Sequence, residues 1–312
     1  MRFKLTVIIP FFNAKKYLLQ NYKSCLELVN KFNIQIIYID NNSNDGSFNI
    51  LKKITANKNF SFLKTKKNLK GPGIGRNLGI QFAESNNLLF LDIDDKLIFK
   101  NFKNLLSFIS KKKFNFLPLA RENISTHKNK YQKFNPYLNY NKNSIEKFLT
   151  KSNNMESIGI IYNRKFLIKN KIFFKSGFFE DILFTFKVHF LNTKNIIIFP
   201  KKIYLKNYSY HSITNSKITK FHLDSKFNAW KGINLYLKKH LTILKYKKLS
   251  NHMQFRWRGE LANEYTQICK SHFISRKKKE LIRYISFKYK RFIFIDFKVR
   301  TTKDKIVRKL LQ

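Results

Sequence analysis

Leu5-Thr-Val-Ile-Ile-Pro10 is a short run of apolar, β-branched residues stopped by proline, and Ile34-Gln-Ile-Ile-Tyr-Ile39 is a second, stopped by Asp40 and a polar cluster. Runs of this kind, with little polar alternation, suit strands buried on both faces of a parallel sheet. Between them Tyr17, Leu18, Tyr22, Cys25, Leu28 and Val29 fall at helical spacing, so the order reads strand, helix, strand. The alternation continues with a helix over 47–56, a strand over 60–64, a helix over 75–85 and a strand over 88–91. It predicts an α/β sheet of right-handed βαβ units with helices on both faces. In such sheets ligands bind beyond the carboxyl ends of the strands. The polar clusters at 40–45 and 92–95 each follow a strand directly.

Further along, the pattern predicts a helix over 101–111, a strand over 115–121, a Lys/Asn-rich loop over 127–143, a short helix over 144–151 and a strand over 158–162. A helix over 179–191 opens with Glu180-Asp181, residues favoured in a first turn because anions stabilise a helix amino terminus. Two strands follow, over 196–199 and 204–208. Beyond about residue 215 no strand signal remains, and Lys-rich segments with apolar residues at three-and-four spacing predict helices. The expected organisation is an α/β domain over 1–214 and a basic, mainly helical region over 215–312.

With 312 residues, 43% of them hydrophobic and 33 of them Phe, the chain has ample material for a core. Its net charge of +45 suggests a polyanionic partner or an anionic membrane surface. The competing reading is codon drift in an AT-rich genome, since Lys far outnumbers Arg and Asn, Ile and Phe are abundant. A nucleic-acid-binding protein is the alternative function that the charge raises, but no RNA- or DNA-binding motif accompanies it. Cys25 and Cys269 have no ligand-spaced partners, which fits a reducing, cytoplasmic compartment. No run reaches the roughly 18–20 apolar residues of a membrane span, and the first twelve residues read as a buried strand rather than a targeting segment.

Asp92, Asp94 and Asp95 close an apolar strand within four positions. Carboxylates that crowded repel one another unless a cation neutralises them. Hard divalent cations such as Mg²⁺ or Mn²⁺ take one or two protein carboxylates and complete their shell with water and substrate phosphate, so the cluster implies a diphosphate-bearing substrate. The competing reading is that these residues cap the next helix or bond loop amides.

Four blocks resemble the inverting family 2 glycosyltransferases of the GT-A fold, in that family's order and spacing. They are Val7-Ile-Ile-Pro-Phe-Phe-Asn13, Asp40-Asn-Asn-Ser-Asn-Asp-Gly-Ser47, Gly75-Arg-Asn-Leu-Gly79 and Leu91-Asp-Ile-Asp-Asp95. Glu180-Asp181 and Tyr208-Ser-Tyr-His-Ser-Ile-Thr214 resemble later family features, and together the motifs cover roughly residues 3–215. The resemblance implies sugar transfer from a nucleotide-diphosphate donor, usually a UDP-sugar, to a glycan or lipid-linked acceptor in cell-surface polysaccharide or lipopolysaccharide synthesis. It implies nucleotide contacts from Pro10, Asp40, Arg76, Asn77 and Asp92, with Asp40 accepting from the base. It implies Mn²⁺ or Mg²⁺ on Asp94, with His211 completing the metal shell and Asp95 in support. Asp181 is then the general base that takes the acceptor hydroxyl proton. Asn41 and Gly75 depart from the family's usual Asp and Ala. The aromatic, basic tail, with Trp230, Phe255-Arg-Trp-Arg258 and Arg276-Lys-Lys-Lys279, suits peripheral contact with an anionic membrane at the inner face of the cytoplasmic membrane. The same residues suit a packed helical subdomain with a Lys-rich solvent face, and that reading is slightly favoured.

Overall fold

The computed structural model describes residues 2–54, 59–67, 70–125, 130–134, 145–150, 155–192, 195–208, 218–293, 298–299 and 301–312. The chain divides into two compact units, Met1–Asn143 with Asn153–Ser212, and Ser144–Ser152 with Ile213–Gln312. The segment 144–152 thus groups with the carboxy-terminal helices, an arrangement that a single cut at residue 214 does not provide for.

The first unit is built on one mixed sheet. Strands β1 (Leu5–Phe11), β2 (Ile34–Asp40), β3 (Phe60–Lys64) and β4 (Asn87–Phe90) run parallel in the order β3-β2-β1-β4. All seven residues of β1 and of β2 are buried, which explains their unbroken apolar character. The crossover helices are α1 (Lys15–Lys31), α2 (Ser47–Ile54) and α3 (Gly73–Phe82). Val7, Ile9 and Phe11 point to the face that holds α1 residues Leu18, Tyr22, Cys25 and Leu28, while Ile8, Ile37 and Ile39 pack with Ile80 of α3 on the other. Gly79 makes that second face possible: a Cβ there would lie 2.4 Å from Ile8 Cγ2, so only glycine lets α3 sit this close to β1.

Proline inside a central strand normally removes a ladder bond. Here β1 pairs β4 only over Thr6–Ile8, and Leu91 N donating to Ile8 O is the last bond on that side. Pro10 lies just beyond, so its missing N–H costs no pairing. The two strands part at this point, opening the carboxyl edge of the sheet between β1 and the acidic turn.

Past β4 the pairing is mostly antiparallel. The remaining elements are β5 (Lys96–Leu97), α4 (Phe102–Lys111), β6 (Phe116–Ser125), β7 (Lys130–Phe134), α5 (Ile145–Thr150), β8 (Ile160–Asn163), α6 (Arg164–Lys169), α7 (Glu180–Leu191) and β9 (Phe199–Tyr208). β8 pairs antiparallel with β4 and β6, β6 runs parallel to β9, and β5 pairs antiparallel with β9. Two expectations need correcting. Part of the expected 127–143 loop is β7, an edge strand paired with Arg121–Ser125 of β6. The two strands expected over 196–199 and 204–208 give way to the single strand β9, whose pairing with β6 shifts register at Leu119/Ala120 and Ala120/Arg121. Those irregularities absorb Pro200, which the sequence presents as a break.

The second unit is helical: α5 with α8 (Lys220–His240), α9 (Ile243–Lys270), α10 (Ser275–Lys290) and α11 (Thr302–Leu311). Thr219, Thr242 and Thr301 cap α8, α9 and α11 through their hydroxyls, and Thr301 forms a full capping box with Asp304. The core is aromatic, with Phe227, Trp257, Tyr289 and Phe292 in mutual ring contact. Trp230 and Trp257 are 0% and 1% exposed. Arg256 is also buried, bonded to Leu149 O and Glu260 and stacked on Trp230. Trp230 and the Arg256-Trp257 pair are therefore core residues and not membrane anchors. Among the described residues, no helix is long and apolar enough to cross a membrane.

Candidate active site

Local chemistry brings the first two blocks together. Asn13 N donates to Ser43 Oγ and Asn44 N to Asn13 Oδ1, while Ala14 N and Lys15 N donate to Ser47 and Asp45. The polar loop after β2 is thereby laced to the end of β1. Within it Asp40 is wholly buried; Oδ1 accepts from Ser43 N at 2.9 Å. Its Oδ2 has no hydrogen-bond donor in the described protein, and the nearest cation, Lys64 Nζ, stands 3.8 Å away. A buried acceptor in that state is costly unless a donor reaches it. Asn41, where the family commonly has Asp, instead donates through Nδ2 to Gly71 O at 2.8 Å.

Gly71 is the point at which the loop before α3 meets the segment leading to α7. It has φ +87°, and a Cβ would fall 2.2 Å from Gly177 O. Asn77 fixes the same crossing, with Nδ2 donating to Phe174 O and Oδ1 accepting from Phe174 N, both at 2.9 Å. Its amide is therefore committed to Phe174, a different task from the nucleotide contact expected of it. Pro10 lies against this helix start, near Gly75.

The loop delivers Arg76 to the centre of the site. Its guanidinium, 3% exposed, donates from Nη2 to Asp92 Oδ1 at 2.9 Å and from Nη1 to Glu180 Oε1 at 2.7 Å and Asp181 Oδ1 at 2.8 Å. Phe90 and Phe174 lie at cation-π distance. Burial would by itself lower the Arg76 pKa, but the attraction of Asp181, Asp92 and Glu180 outweighs it and holds the group charged. One cation facing three carboxylates leaves an excess of negative charge. The excess shows at Glu180, pushed up to about 8 by burial and then by repulsion from Asp181, and opposed by Arg76. Asp181 is raised as well, by burial, against the pull of Arg76 and of Ser157.

Ser157 is a site residue that sequence reasoning missed. Its Oγ donates to Asp181 Oδ1 at 2.7 Å and its N–H to Oδ2 at 3.2 Å. Two features fix its segment: Tyr162 OH donates to Ser157 O, and Glu156 forms ion pairs with Arg121 and Lys206. Those cations pull Glu156 down to about 2, against the opposing effect of desolvation. On the other side Phe179 takes the left-handed conformation at φ 57°, ψ 25°. That conformation costs about 1–3 kcal/mol in a non-glycine residue, and it turns Glu180 and Asp181 onto Arg76 as the first turn of α7.

The acidic turn is differentiated residue by residue. Asp95 is buried; its Oδ2 accepts from Tyr204 OH at 2.6 Å and its Oδ1 from Asn207 N at 2.7 Å. Burial, then the nearby Asp92, raises its pKa well above the usual carboxylate range. Asp95 therefore ties β9 to the turn. Asp92 is committed through Oδ1 to Arg76 while remaining 36% exposed. Asp94 is partly exposed, and its carbonyl accepts from Asn207 Nδ2 at 2.7 Å. The mutual repulsion expected of three free carboxylates is thus relieved by a guanidinium and a tyrosine. Among the described residues no group of three or more His, Cys, Asp or Glu forms a metal cage. Asp94, partly exposed in this turn, is the residue that could hold a cation whose remaining shell comes from water and other ligands. His211 lies outside the described residues.

This arrangement, acidic turn, buried Asp40 and helix-borne carboxylate at the carboxyl edge of a β3-β2-β1-β4 sheet, is that of a GT-A glycosyltransferase. A model of glycosyl transferase family 2 matches residues 6–179, more than half of the chain, and the chain belongs to that family. The poly(ribitol-phosphate) beta-N-acetylglucosaminyltransferase TarP of Staphylococcus aureus (strain N315) is 27% identical over 228 residues, 70% of this chain and 65% of that protein. TarS of Staphylococcus aureus (strain Mu50), with the same description, is 26% identical over 208 residues, 64% of this chain; the chain spans about a third, 35%, of the length of TarS. The crystal structure of TarS residues 1–349 with UDP-GlcNAc superposes with a TM-score of 0.66 at 18% identity, covering 98% of this chain and 90% of that one. That likeness is one of fold.

Proposed function

We propose that this glycosyltransferase moves a sugar, with inversion, from a UDP-sugar to a hydroxyl of a glycan or lipid-linked acceptor in cell-surface polymer synthesis. The observation that carries the reading is the Arg76 bridge, one buried guanidinium bonded to both Asp92 and Asp181, to which the reading assigns the nucleotide and the acceptor respectively. Asp40 Oδ2, buried and without a donor among the described residues, suits a base N–H; Lys64, 43% exposed, would have to give way for the base to reach it. Asp92 offers its second oxygen to the ribose.

The acceptor hydroxyl attacks the anomeric carbon opposite the diphosphate, the new C–O bond forms as the bond to the diphosphate breaks, and the hydroxyl proton passes to Asp181. Oδ1 of Asp181 already accepts from Arg76 and Ser157, whereas Oδ2 holds one longer bond, so Oδ2 is the basic oxygen. A divalent cation on Asp94, Mn²⁺ or Mg²⁺, would offset charge on the leaving diphosphate. Relatives named for poly(ribitol-phosphate) favour a phosphate-bearing acceptor polymer, and a chain of net charge +45 would concentrate such an acceptor at low salt.

The test is a UDP-sugar panel, UDP-GlcNAc first, assayed for UDP release by purified protein with and without Mn²⁺. Turnover that needs the cation and falls about 100-fold or more in Asp94→Ala is expected. Undiminished turnover in Asp94→Ala would remove the cation from the account.

A further inference from the structure

We propose that the turn joining α8 to α9 is a docking tip for an anionic lipid bilayer. Ile243 and Leu244, adjacent first-turn residues of α9, are 75% and 74% exposed. Isolated exposed aliphatics are ordinary, but two neighbours laid bare at a helical turn are not. The turn is held firmly, since Tyr246 OH donates to Asn234 Oδ1 at 2.7 Å, Leu241 N donates to Leu237 O, and the Thr242 hydroxyl caps α9. The aliphatic pair is thus presented by a fixed support.

The charge carried by the two helix ends that form the turn is of one sign. Lys238, Lys239, His240, Lys245, Lys247 and Lys248 are all exposed around the pair, and no Asp or Glu occurs between Asp224 and Glu260. An apolar point ringed by cations matches the interface of an anionic bilayer, where apolar side chains enter the headgroup boundary and each nearby lysine adds attraction. A soluble polyanion would use the lysines and leave the aliphatic pair in water. A second copy of the chain would bring like charge against like charge. The tryptophans of this unit are interior, so the tip, rather than they, meets the lipid.

The experiment is vesicle flotation with the full-length chain at about 0.15 M salt. The vesicles are phosphatidylcholine alone or phosphatidylcholine mixed equally with phosphatidylglycerol. Binding only to the anionic vesicles is expected, with the partition coefficient falling about tenfold or more in Ile243→Asn/Leu244→Asn. Ile274→Asn, at the other end of α9 and also exposed, should bind as the unaltered chain does. Equal binding by the double variant, or no binding by the unaltered chain, overturns the proposal. So does a double variant that changes oligomeric mass by light scattering while leaving partition unchanged, since that would make the tip a contact between copies.

Discussion

Arg76 on α3 and Asp181 on α7 lie 105 positions apart in the chain, and the guanidinium Nη1 donates to the Asp181 carboxylate at 2.8 Å. The same nitrogen reaches Glu180, and the other arm reaches Asp92 at the end of β4. A planar fork can serve two directions at once, whereas an ammonium is a point charge. Gly71 before α3 and the Asn77 clamp on Phe174 have a common effect: they bring Arg76 to this position.

Arg76→Ala should therefore cost both activity and stability. Removing one partner of a buried ionic group leaves charges uncompensated, typically at about 3–5 kcal/mol. The expected result is a markedly lower melting temperature together with lost transfer. Arg76→Lys should recover stability in part but little turnover, as read by thermal unfolding and UDP release.

Ser157→Ala tests how Asp181 is held. Its hydroxyl bond to Oδ1 favours the ionised carboxylate, so its loss should raise the Asp181 pKa. The acid limb of the kcat profile should then move to higher pH, with kcat down about tenfold, near 1.4 kcal/mol, and the KM for donor nearly unchanged. A pH-rate profile of the variant against the parent checks both expectations.

Glu264 on α9 makes stability depend on pH. It accepts from Tyr289 OH at 2.8 Å, its Oε2 has no donor among the described residues, and burial pushes its pKa from 4.5 up to about 8. The folded state holds the proton more tightly than the unfolded chain does. The group's contribution is thus fully present below pH 4.5 and is lost as pH rises toward 8. Glu264→Gln keeps an acceptor for Tyr289 and removes the titration, so the gap between variant and parent melting temperatures should widen from pH 5 to pH 8.5 in favour of the variant.

The parallel half of the sheet was legible because β1 and β2 are buried on both faces and written in unbroken apolar residues. β7 was not, since Lys130-Tyr-Gln-Lys-Phe134 is polar and at the edge, and only its pairing with β6 makes it a strand. In the site, Asp92 and Asp181 stood out by motif, but their divergent environments did not. Tyr204 relieves Asp95 from 109 positions away, and Ser157 reaches Asp181 from a segment with no sequence signature. Asn77 is expected at the nucleotide because it opens the same helix as Arg76, yet successive helical residues point in different directions, and Asn77 turns to Phe174. The aromatic tail left two readings open for a related reason, because Trp230 and Trp257 sit beside basic residues in sequence and in a core in space, which is the packed helical reading.

Asp181→Asn is the most direct test of the central claim that Asp181 takes the acceptor proton. The change keeps the shape of the side chain and removes its basicity. UDP-sugar affinity by calorimetry should stay within a few-fold of the parent, while transfer falls by about 100-fold or more. Transfer by Asp181→Asn at the parental rate would contradict the account.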